Sequence, residues 1–140
     1  MSSRHRAREN VLKALYAFEQ GEQTADELVA SIIGGGRLKE NDLKFASDLF
    51  RKVVENIDSI DEHITSLATN WKLDRLAIVD KNILRIAMCE VEFMPDIPIK
   101  VAINEAIELA KKFSTNQSAS FVNGILDRVM QKKVEEESKR

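Results

Sequence analysis

"DIPIKVAINEAIELAKKFSTNQSASFVNGILDRV", residues 96–129, carries the clearest periodicity in the chain. Ala102, Ala106, Leu109, Ala110 and Phe113 recur at three- and four-residue intervals, with Ile103 and Ile107 widening the stripe. That spacing gathers apolar side chains on one face of a helix, not of a strand. Its alanines allow a second helix to approach closely, so the segment is expected near the centre of a helical core. Pro95 and Pro98 bracket a tight connection before it, since proline lacks a donor and disfavours helix in the preceding residue. "STNQS", residues 114–118, reads as a turn. Val122, Ile125, Leu126 and Val129 mark a last helix, and the charged residues from Lys132 to Arg140 read as a fraying end.

The same period recurs towards the N-terminus. Ala7, Val11, Ala14, Leu15 and Phe18 form a first stripe, ended by Gly21. Thr24 and Glu27 fit a capping box opening a short helix through Leu28 and Ile32, expected to stop at Gly34-Gly35-Gly36. Asn41 is the expected cap of a helix carrying Leu43, Ala46, Phe50, Val53 and Ile57. Ser59 and Glu62 suggest a further box before Ile64 and Leu67, and Asp80 a cap before Ile83, Leu84, Ala87, Met88 and Val91. Six to seven helices with short links and no strand pattern predict an all-α bundle.

Composition narrows the function classes. The 140 residues, 44% hydrophobic and 31% charged, suit one soluble globular domain. No apolar run is long enough for a bilayer and no signal-peptide pattern is present, so a cytosolic location is expected. The single cysteine, Cys89, excludes an internal disulfide and sits on an apolar helix face as a core residue. Asp58, Asp61, Glu62 and His63 form the densest ionisable cluster, but acidic residues at a helix start answer to the helix dipole. His5 and Glu9 are too few for a metal site, and Gly34-Gly35-Gly36 lacks the spacing of a phosphate loop. Nothing supports catalysis, a cofactor or a small-molecule substrate.

One imbalance stands out. Arg4, Arg6, Arg8 and Lys13 face Glu9 alone over residues 1–13, a net +3 on a chain of net −2. Such an end attracts an anionic partner such as RNA, although a plain solvated terminus also has this composition. Projected at about 100° per residue, Tyr16 falls roughly opposite the apolar stripe with Arg6 and Lys13 beside it. An exposed ring among cations can stack a base while they hold phosphate; a surface tyrosine packed on a loop is the alternative. Arg6, Arg8 and Tyr16 are all expected to point away from the core.

"RHRARENVLKALYAF" (residues 4–18), "LDRLAIVDKNILRIAMCEVEF" (73–93) and the run from Ile97 to Val129 together resemble the NusB family of bacterial transcription antitermination factors. The resemblance implies an all-helical fold of two packed three-helix subdomains. It implies binding of boxA RNA together with NusE, a small-subunit ribosomal protein, and action on elongating RNA polymerase with other Nus factors. Carried onto this chain, the arginine-rich RNA motif falls on Arg4, His5, Arg6 and Arg8, with Lys13 and Tyr16 on the same helix. Gln117 and Ser120, in "STNQSASF", would complete the RNA surface, and Asp74 and Asp80 would face the partner, exposed near a helix start. His5 interrupts the arginine run and supplies less phosphate attraction. Gln117 stands where relatives often carry an acid, so its neutral amide is expected to offset part of that loss. The other readings are a protein-interaction scaffold and a stand-alone relative of the helical domain of ribosomal-RNA cytosine methyltransferases. The methyltransferase reading requires an α/β domain with a nucleotide-binding glycine loop and a catalytic cysteine.

Overall fold

The computed structural model describes residues 3–68 and 76–139, and among them are seven α-helices and no strand. They divide into two units, residues 1–57 and 58–140.

In the first unit, α1 (Ser3–Glu19) buries Ala7, Val11, Ala14 and Leu15, and Phe18 meets Phe50 edge to face with ring centroids 6.2 Å apart. Gly21, at φ 76, takes the left-handed turn that follows the helix. Both bonds of the Thr24/Glu27 capping box are present at the start of α2 (Ala25–Leu28). The glycines do not stop this segment. It widens into a π turn over Val29–Ile33 and tightens into a 3-10 turn over Gly34–Gly36; the left-handed residue is Arg37, at φ 58. Gly36 serves close approach instead: a Cβ there would lie 2.1 Å from Asn10 Nδ2. The third helix, α3 (Glu40–Glu55), packs against α1 and buries Phe45, Ala46, Leu49, Phe50 and Val53. Lys39, not Asn41, precedes it. Asn41 lies inside the first turn, between Glu40 and Asp42, whose charges suit the positive end of the helix.

In the second unit, α4 (Ile57–Leu67) begins two residues before Ser59, so Ser59 is a helical residue and not a cap. Helix α5 (Ile78–Phe93) is preceded by Ala77, placing Asp80 at its third position. Residues 82–91 are buried on every side, as expected of the most enclosed helix in a bundle. Helix α6 (Ile99–Phe113) packs against α5 and α7, burying Ala102, Ile103, Ala106, Leu109 and Ala110. Helix α7 begins at Asn116, because Thr115 caps it by accepting from the Ser118 N–H; "STNQS" is thus mostly first turn. It runs on to Ser138 through the segment expected to fray. Lysines and glutamates are good helix formers, and Lys133 lies 3.7 Å from Glu136 and 4.0 Å from Glu92 on α5.

Ala106 is 1% exposed where α6 meets its neighbours. Ala106→Leu should overpack that contact and cost about 1–3 kcal/mol in urea denaturation. An unchanged midpoint would mean the site has room for three more carbons.

Candidate nucleic-acid interface

The basic turn splits into two groups once α1 is packed. Arg6 and Lys13 are exposed, and Tyr16 is 48% exposed, so the sector opposite the apolar stripe is open to solvent. The half-buried Asn10 lies between Arg6 and Lys13, four residues after one and three before the other. Arg8 corrects the expectation of an outward side chain: it is 1% exposed, its guanidinium 5.0 Å from the centroid of the buried Phe45 ring. Arg4 lies 4.5 Å from the same centroid but is exposed at the helix end. The signal was present in the sequence. Arg8 precedes Leu12 by four residues and Leu15 by seven, about 20° off the Leu15 position on the apolar side. His5 is half-buried, with Nε2 3.7 Å from the Glu9 carboxylate. The outward cations of α1 are therefore Arg4, Arg6 and Lys13.

In the second unit, Gln117 and Ser120 are exposed on the first turns of α7. Asp80 is corrected. It is 3% exposed and accepts a hydrogen bond from the Ser114 hydroxyl at 2.5 Å, tying the start of α5 to the end of α6. A carboxylate in a first helical turn can reach back towards its own core, and here a hydroxyl meets it. Asp74, the other expected partner residue, lies outside the described residues.

Asp61, part of the cluster considered for metal binding, is held by Arg85 of α5. Nε and Nη2 each donate to one carboxylate oxygen at 2.8 Å, and Nη1 donates to Asn82 at 3.0 Å. That fork was not visible in the sequence, because 24 residues separate the partners. Among the described residues no set of three or more His, Cys, Asp or Glu is arranged to hold a metal, and no helix is long and apolar enough to cross a membrane.

Residues 5–131 match the NusB family. The chain belongs to the NusB family. The transcription antitermination protein NusB of Thermodesulfovibrio yellowstonii is 40% identical over 141 residues, covering 94% of this chain and 93% of the relative. That of Chloroherpeton thalassium is 44% identical over 126 residues, covering 89% of this chain; the match spans 60% of the relative's length. Among solved structures, T. maritima NusB is similar at a TM-score of 0.81 and 37% identity, covering 96% of this chain and 99% of the other. A structure of antitermination factors NusB and NusE in complex with dsRNA matches at a TM-score of 0.83 and 25% identity, covering 94% of this chain and 98% of the other. Membership in the NusB family thus rests on sequence and fold together, and the matched span takes in α1 from His5 onwards.

Proposed function

We propose that this NusB-family chain is a non-catalytic, cytoplasmic antitermination factor that binds boxA RNA together with NusE and acts with other Nus factors on elongating RNA polymerase. The observation that carries the reading is the open sector of α1, where Arg6, Lys13 and Tyr16 stand exposed in a chain whose fold matches a protein solved with NusE and dsRNA. Arg6 and Lys13 supply phosphate contacts, and the Tyr16 ring supplies a stacking face. Arg8 contributes indirectly, by seating the N-terminal turn on Phe45. Gln117 and Ser120 offer further polar contacts without charge, and Gln117 adds no repulsion towards phosphate. Asp80, enclosed as it is, would support the partner face by positioning the start of α5.

Titration with single-stranded boxA RNA over a range of salt, with and without NusE, tests this. Arg6→Ala should weaken binding and make the salt dependence shallower by about 0.7 log units, one counterion's worth for a single strand. Tyr16→Ala should cost about 1–3 kcal/mol with the slope nearly unchanged. Parental affinity and slope in both variants would remove α1 from the RNA surface. NusE binding by a chain that takes up no RNA would leave an interaction scaffold.

A further inference from the structure

The turn that follows α2 is unusual in where it places its positive φ. Three glycines are available at 34–36, yet none of them takes it; the left-handed conformation falls on Arg37 (φ 58, ψ 35), a residue with a long side chain. A side chain at positive φ is held at a conformational cost that glycine would avoid. Two observations say where this turn lies and what it offers. Gly36 sits so close to Asn10 that a Cβ would overlap its amide, and Arg37 is the next residue, its Cα about 3.8 Å from that of Gly36. Asn10 itself stands on α1 between Arg6 and Lys13. Arg37 is exposed, and neither it nor Arg6 nor Lys13 forms an ion pair among the described residues. A 3-10 turn leading into a left-handed residue also belongs to the class of backbone steps whose N–H groups converge on anions.

We infer that Arg37 is a further phosphate-binding residue of the α1 surface, carried to Arg6 and Lys13 by the packing of Gly36 on Asn10. The inference rests on the RNA-binding reading given above. It adds a cation from a segment 24 residues beyond Lys13, which widens the phosphate track from a line along one helix to a patch across two segments. Phosphates of a single strand following that patch would meet three separate cations, each releasing counterions.

The test uses the full chain and single-stranded boxA RNA. Arg37→Gly removes the charge and suits the left-handed backbone, so its melting temperature should be no lower than the parent's. Its affinity should nonetheless fall about three- to tenfold, with a salt slope shallower by about 0.7 log units. Arg37→Lys should recover most of the affinity and the slope. Parental affinity and slope in Arg37→Gly, with Arg6→Ala still weakened, would overturn this inference and leave the α1 surface standing. Parental binding in Arg6→Ala, Lys13→Ala and Arg37→Gly alike would remove both. A loss in Arg37→Gly that comes with a lowered melting temperature and that lysine does not restore would make Arg37 a structural residue, and also overturn the inference.

Discussion

Arg8→Ala is expected to destabilise the first unit by about 2–4 kcal/mol, read as a lowered midpoint in urea or heat denaturation. The side chain is enclosed, so truncation opens a void where its methylenes were packed. It also removes a guanidinium from the Phe45 ring, a contact of about 0.5–2 kcal/mol depending on desolvation. Arg8→Met, which keeps the bulk and drops the charge, should recover part of the loss. Arg6→Ala, two residues earlier and so on the open side of the helix, should leave the midpoint nearly unchanged. A stable Arg8→Ala variant would show that the first turn can leave Phe45 at no cost. For RNA binding the consequence is practical: a variant lacking both arginines mixes unfolding with lost phosphate contact, and only Arg6 isolates the second.

Asp61→Ala should cost about 2–4 kcal/mol, because it takes from the buried Arg85 guanidinium both arms of a charge-assisted fork. A quarter of the Asp61 side chain is exposed, so water can replace some of what is lost and the lower part of the range is favoured. Arg85→Lys should not rescue the geometry, since an ammonium cannot donate to both oxygens in the same plane. Replacing both partners, Asp61→Leu with Arg85→Met, should recover much of the stability, as it leaves no buried charge behind. If Asp61→Ala alone unfolds at the parental denaturant concentration, the fork contributes nothing beyond hydration. The loss should fall on the attachment of α4, which Arg128 also holds by donating to the Leu67 carbonyl.

The helices were legible because their signal is local. The stripes of α1, α3, α5, α6 and α7 are spacings within one segment, and burying an apolar face decides helix over strand before any neighbour is known. The Thr24/Glu27 box was legible for the same reason: both its bonds close within four residues. Ends read from a single residue type fared worse. Asn41, Ser59 and Asp80 all have capping chemistry, yet each lies inside its helix, since any one of several adjacent residues can begin the first turn and tertiary packing selects which. The three glycines permit a stop without requiring one, and the stop fell on Arg37.

At the candidate site, the positive charge of the first turn and the outward Tyr16 could be read from residue identity and helical angle. Which cations face solvent could not be read from charge alone. Arg8 is buried with its guanidinium over the ring of Phe45, 37 residues away; Asp80 turns inward to the Ser114 hydroxyl; Asp61 is held by Arg85. The periodicity of apolar residues determines which face of a helix is buried, as hydrophobic burial depends on the segment's own pattern. Where a charged side chain goes is decided by the tertiary fold, since only a specific partner can offset the cost of taking it out of water.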